Sequence, residues 1–358
     1  MLRAWLTALG LAIAGIAVLV WLVPSAPLTG DGQYYVEFVR NGLQHGASSW
    51  HERRLLGPVL VRATPLDPLV AFQILTLVSL TLTALLMWRA SESLLAIPLL
   101  LGTWVAAPNV REYALVDPVA WVFVAAVWLA TVRQRWLWAA ALAAIGVFAK
   151  EVVVLSAVAA GAAAWQAQKP WRSLIVAAPA LAAVFLLTLV FPGSGNDALA
   201  YLIKWVRDGL GSLGAPRVLF LVLASYGALW FLLPIGWRSL PSHLQRAGAV
   251  FLLAGLVLPF VGSPERMEEA IFPIVIASAV AATRDWLPAA AWTLALGNLL
   301  FVARVGGDAR IPTLLAWAGL AVAFGVIGLS LLPGRWPSPR SAPQRQPSRP
   351  SATAPPPR

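Results

Sequence analysis

The charged residues placed to do chemistry fall in five short stretches. Asp31-Gly32-Gln33-Tyr34-Tyr35 sets an acid beside two phenols. His51-Glu52-Arg53-Arg54 brings an imidazole and two guanidinium groups. Arg111-Glu112-Tyr113 precedes Asp117-Pro118, and Lys150-Glu151 stands between two apolar runs with almost no loop around it. Glu265-Arg266-Met267-Glu268-Glu269 closes the set. Carboxylates accept protons, and arginine and lysine meet anions. Ionisable groups this close to hydrocarbon are costly, and they pair or line a water-filled cavity. Each stretch also has a plain explanation. Asp31 can be a helix N-cap, Lys150 and Glu151 a structural ion pair, and the arginines headgroup anchors.

Other chemistries find no support. There is no P-loop, no GxGxxG between strand and helix, no GxSxG and no HExxH. The chain has no cysteine, which removes disulfides, thiolate metal sites and a cysteine nucleophile. Its three histidines are His45, His51 and His243. None has ligand spacing with nearby acids, so a divalent metal is an open option without a ligand set.

These residues are carried by a membrane protein. Hydrophobic residues make up 59% of the 358, charged residues 11%, and the mean hydropathy is +0.77. Continuous apolar runs exclude barrel-type alternation. The fold class expected is an all-α polytopic membrane protein of about twelve transmembrane helices. The expected spans are 4–23, 69–88, 93–107, 118–132, 136–149, 152–167, 173–191, 217–236, 247–262, 269–283, 287–304 and 312–332. Those in 93–167 fall short of the roughly 20 residues a span needs, so tilted, broken or re-entrant segments are expected there. The opening residues resemble a signal peptide, with Arg3, an apolar run and Pro24-Ser25-Ala26. That run is long for a cleaved segment and reads as the first span.

Alternate threading with both termini inside leaves Glu92 and Asp285 as the acids of the inner loops. The other thirteen of the fifteen fall on the outer side. Such asymmetry implies chemistry or a permeant at that face. The +11 net charge is spread over short loops and a tail with five arginines, so it speaks for topology and membrane lipid and against nucleic acid. The membrane domain is expected over 1–332, with its longest outer loop at 24–68. One interfacial helix begins at Asp31, has Tyr35, Phe38 and Val39 on its apolar face, and ends at Gly42. Another runs from about His51 until Pro65 and Pro68 stop it. A third outer helix is expected at about 196–211. Residues 333–358, rich in Pro, Ser and Arg, read as a disordered cytoplasmic tail.

In four of these places the chain resembles the GT-C superfamily of membrane glycosyltransferases, including bacterial mannosyltransferases. They are Asp31-Gly32-Gln33-Tyr34-Tyr35 after the first span, Arg53-Arg54-Leu55-Leu56-Gly57-Pro58 before the second, Asp117-Pro118 preceded by Arg111-Glu112, and Ala149-Lys150-Glu151. The match covers roughly the first half in order; the second half is similar in architecture, with Glu265-Arg266 as a late contact. The large soluble C-terminal domain of some members is not expected here.

The resemblance implies transfer of a sugar from a polyprenyl-phosphate carrier to a hydroxyl of a glycan, lipid or protein acceptor, with inversion. Asp31 would be the general base and His51 its assistant. Arg53, Arg54, Lys150 and Arg266 would meet the leaving phosphate, with Arg111 beside them. Asp117 and Glu151 would orient acceptor or sugar hydroxyls, Glu112 and Glu265 would be further substrate contacts, and Tyr34 and Tyr35 would stack on sugar or flank lipid. No cofactor is implied beyond the open divalent metal. A transporter or flippase for a lipid-linked or anionic solute explains buried charge equally well but places it near the bilayer midplane. A non-catalytic scaffold predicts that Asp31, Asp117 and Lys150 do not converge. Composition points to a bacterial inner membrane, with the active face periplasmic or extracellular.

Overall fold

The computed structural model describes residues 1–26, 28, 30–42, 49–165, 170–191, 207, 214–257 and 269–332, and every regular element among them is helical. Helix α1 (Leu2–Leu22) leads into three short helices, α2 (Gly30–Asn41), α3 (Ser49–Arg53) and α4 (Leu56–Arg62). Then come α5 (Pro68–Ser91), α6 (Ala96–Leu101), α7 (Ala107–Arg111), α8 (Asp117–Val132) and α9 (Trp136–Gly146). A 3-10 turn (Glu151–Val153) opens α10 (Val154–Ala164), and α11 (Trp171–Val190) follows. The second half holds α12 (Ala215–Tyr226), α13 (Leu229–Trp237) and α14 (Ser242–Val257). Another 3-10 turn (Glu269–Ile271) opens α15 (Phe272–Ala282), followed by α16 (Pro288–Gly307) and α17 (Thr313–Ser330).

Five of these, α1, α5, α11, α16 and α17, are long and apolar enough to cross a membrane. The number rises to six if the pair α12 and α13, bent by 69°, is one span. The other stretches read as spans form shorter helices. Helix α8 has 16 residues and α9 has 11. At about 1.5 Å per residue neither crosses about 30 Å of hydrocarbon unaided. The stretch 93–107 is not a single helix. Gly102 to Ala106 separate α6 from α7, inside protein rather than against lipid. The backbone groups freed there are satisfied: Trp104 N–H donates to Ser225 O at 3.0 Å and Asn298 Nδ2 donates to Gly102 O at 2.7 Å. Irregular backbone survives at such depth under that condition.

The surface is that of a body in hydrocarbon. Helix α1 buries Ala8, Ala12, Ile16 and Leu19 on one stripe, while Trp21 on another face is 76% exposed. Leu137, Leu174 and Leu314 are exposed to similar degrees, which water disfavours and lipid accepts. With apolar surroundings outside and in, helices associate by close packing of small residues. An ideal Cβ on Gly236 of α13 would lie 1.8 Å from Ser278 O of α15, and one on Gly297 of α16 would lie 2.3 Å from Gly319 O of α17.

The loop between α1 and α5 carries three short helices. Gly42, at φ +83°, ends α2 with its N–H on Phe38 O. The second interfacial helix is two, α3 and α4, broken at Arg54-Leu55. Pro68 starts a helix instead of stopping one. It is the first residue of α5, and the Asp67 carboxylate accepts from Leu69 N–H at 2.9 Å. His45, the helix at about 196–211, Glu265, Arg266 and the tail at 333–358 lie outside the described residues.

Gly236→Leu is expected to destabilise the bundle by at least about 3 kcal/mol, since its side chain must enter a backbone–backbone contact. Gly328→Ala, where a Cβ meets nothing within 4 Å, is expected to be neutral or slightly stabilising. Thermal unfolding of the purified variants checks both.

Candidate functional site

The segment from Ala114 to Val116, just before Asp117, is the seat on which the loop between α1 and α5 rests. A Cβ on Gly32 of α2 would come within 3.3 Å of the Ala114 Cβ, and one on Gly57 of α4 within 3.2 Å of Val116 Cγ1. Glycine at both places lets two loop helices close on the same segment. Tyr35 and Val36 of α2 pack there with Phe72 of α5, Ala114 and Val116. A backbone bond from Leu56 N–H to Phe148 O, 2.9 Å, ties the loop to the turn carrying Lys150 and Glu151.

This packing brings the acids and bases together. His51 Nε2 lies 3.0 Å from Asp31 Oδ1, with the two side chains 19% and 30% exposed. Asp31 is not the N-cap. It sits in the first turn of α2, and its carboxylate turns to α3. The rings of Tyr34 and Tyr35 flank His51, with centroids 4.9 and 5.6 Å away. Neither tyrosine hydroxyl finds an acceptor among the described residues. Burial pushes both phenols up, helped at Tyr34 by Glu52 and opposed at Tyr35 by the Arg54 guanidinium. Both therefore stay protonated and keep a donor to offer.

Beneath this layer lie two ion pairs. Arg54 grips Glu151 with both fork positions, Nη2 to Oε1 at 2.6 Å and Nε to Oε2 at 3.1 Å. Burial alone would favour a neutral Arg54, but Glu151, Tyr35 and Asp117 outweigh it and hold the guanidinium charged. Lys150 pairs with Asp117; the two side chains are 2% and 1% exposed. Lys150 and Glu151, adjacent in sequence, thus pair away from each other with partners from distant segments. The Lys150 ammonium also stands 5.3 Å from the centre of the Trp121 ring.

A buried acid completes the lower layer. Glu269 Oε2 accepts from Trp121 Nε1 at 2.8 Å and from Asn109 Nδ2 at 3.2 Å, and the Tyr226 hydroxyl donates to its backbone carbonyl at 3.2 Å. Glu269 and Glu52, both buried, are the acids a reading of the sequence passes over. Their signal was a carboxylate inside or beside an apolar run. Asn109 and Trp121 gave none.

Other expected residues lie elsewhere. Arg53 donates to Phe191 O at 2.9 and 3.2 Å. Arg111 pairs with Asp308, which also faces Arg304. Glu112 follows the last turn of α7, its N–H on Pro108 O. Among the described residues no group of three or more His, Asp or Glu is placed to hold a metal ion, so the site does not fit one.

The chain matches no family model, no curated protein and no solved structure.

Chemically, the site has an open layer and a sealed one. Asp31 and His51 offer a carboxylate and an imidazole at the partly exposed edge, while the hydroxyls of Tyr34 and Tyr35 are buried behind them. The pairs below fix charges in a medium too apolar to tolerate them singly. Lys150→Met is expected to cost about 3–5 kcal/mol because it strands the Asp117 carboxylate, whereas Lys150→Met with Asp117→Leu recovers most of that loss. Unfolding in lipid bicelles measures the difference.

Proposed function

We propose that the chain is a glycosyltransferase that moves a sugar from a polyprenyl-phosphate carrier to a hydroxyl of a glycan, lipid or protein acceptor, at the outer face of a bacterial inner membrane. The observation that supports this most directly is the Asp31–His51 contact at the partly open end of the buried charge network. Asp31 takes the acceptor proton as the hydroxyl oxygen bonds to the anomeric carbon. The bond from that carbon to the carrier oxygen breaks, and the electron pair leaves on the phosphate. His51 orients the carboxylate, and a base so placed typically contributes 10²–10⁴-fold. Tyr34 and Tyr35 pack on the imidazole and hold His51 beside Asp31.

The cations take unequal parts. Arg54 and Lys150 are each neutralised by a carboxylate, so with Glu151 and Asp117 they position the upper layer. Arg53, on α3 two residues after His51 and bonded to Phe191 O, is assigned to the side where the phosphate leaves.

Transport is the second reading. It is favoured by the helix breaks at 102–106 and 147–153 and the bent pair α12–α13, which adjoin buried charge as in proteins that move ions or solutes. The two readings part at Asp31. In lipid nanodiscs with polyprenyl-phosphate sugars, Asp31→Asn is expected to retain the donor, seen by native mass spectrometry, and to lose transfer by at least about 10²-fold. Transfer near the wild-type rate in Asp31→Asn would remove the assignment. Donor retained by wild type with no product from any acceptor class would favour transport.

A further inference from the structure

A second polar feature shares no residue with the acid–base network. Where α1 ends and α5 begins, a cavity of about 210 Å³ lies between the two helices. Val20, Trp21 and Leu77 form its apolar walls, and Ser25, Gln73 and Arg310 its polar part. Trp21 and Gln73 are exposed, so the cavity opens toward the lipid-facing side of the bundle.

Arg310 is held over this opening by its backbone. It lies between α16 and α17, and its N–H donates to Leu22 O at 2.8 Å, fixing it to the end of α1. Its neighbours Arg111 and Arg304 share Asp308. Arg310 makes no ion pair among the described residues, is exposed, and is one of the residues that line the cavity. An arginine above apolar walls with an exposed tryptophan beside it is the arrangement of a membrane interface. Guanidinium holds phosphate oxygens in a fork, and Ser25 and Gln73 can add neutral donors.

We propose that this groove binds the phosphate headgroup of an acidic glycerophospholipid, with an acyl chain laid along Val20 and Leu77 between α1 and α5. The site is independent of the transferase reading: it uses none of the residues assigned there and needs no reaction.

The full chain, purified in detergent, is titrated with phosphatidylglycerol, phosphatidylcholine and inorganic phosphate, and retained ligand is counted by native mass spectrometry. Wild type and Arg238→Ala are expected to retain phosphatidylglycerol equally. Arg310→Ala is expected to weaken it about tenfold, the size of one lost charge-assisted contact, and Arg310→Lys by less. Gln73→Leu, at an exposed position, is expected to weaken it a few-fold and keeps the test alive if Arg310→Ala does not fold. Phosphatidylcholine should bind clearly more weakly, and inorganic phosphate should neither bind comparably nor displace the lipid. Retention unchanged in both Arg310→Ala and Gln73→Leu would overturn the proposal. So would equal retention of the two lipids, or inorganic phosphate binding as well as the lipid, which would mark a free-anion site.

Discussion

An ammonium and a carboxylate almost fully removed from solvent set the terms for the rest of this molecule. Lys150 and Asp117 come from segments more than thirty residues apart, and neither tolerates the apolar interior alone. Their pairing requires that the turn before α10 and the first turn of α8 stay in register. The Arg54–Glu151 pair then draws the loop between α1 and α5 into the same register, because Glu151 follows Lys150 directly. Trp121, between Lys150 and Glu269, carries the constraint to the start of α15. Helix beginnings from three parts of the chain are thereby gathered at one place, where their positive ends suit the carboxylates they carry.

Short helices make that gathering possible. A helix that crosses the bilayer carries its polar residues to the ends, whereas α8, α10 and α15 begin within the body of the protein. At the breaks after α6 and before α13, Asn298 meets the freed backbone groups, donating to Gly102 O and accepting from Ala228 N–H. Glycines at 32 and 57 let the loop helices sit low on Ala114–Val116, which brings Arg54 near Asp117. The open and sealed layers of the site follow from this depth. The loop supplies the groups that a ligand can reach, and the bundle supplies the charges that hold the loop.

The helical class and most helix positions were legible in the sequence, since continuous apolar runs with Pro and Gly boundaries leave little choice. Asp31, His51, Tyr34, Tyr35, Arg54, Asp117, Lys150 and Glu151 were also legible, as ionisable or phenolic groups beside apolar runs. Partner choice was not. Adjacency suggested a Lys150–Glu151 pair, but consecutive residues in an extended-to-helical turn point apart. Arg53 and Arg54 look equivalent in sequence, yet the helix break between α3 and α4 sends one to Phe191 and buries the other on Glu151. Glu269 stood in a run of four charges with nothing in the sequence to single it out, and only packing shows that it is buried. In 93–107, among the stretches too short for a full span, the break falls at Gly102–Ala106, a place composition could not give because a buried, hydrogen-bonded break has the same composition as a helix.

The central physical claim is that the two ion pairs act as one unit joining loop to bundle, with the Asp31–His51 contact resting on it. A double-mutant cycle between pairs tests it most directly. Arg54→Met with Glu151→Leu removes one pair, Lys150→Met with Asp117→Leu the other, and the four proteins are compared by reversible unfolding in bicelles. A single unit predicts a coupling energy of about 0.5–3 kcal/mol. Losses that add to within about 0.3–0.5 kcal/mol would mean two independent salt bridges and would contradict the joint.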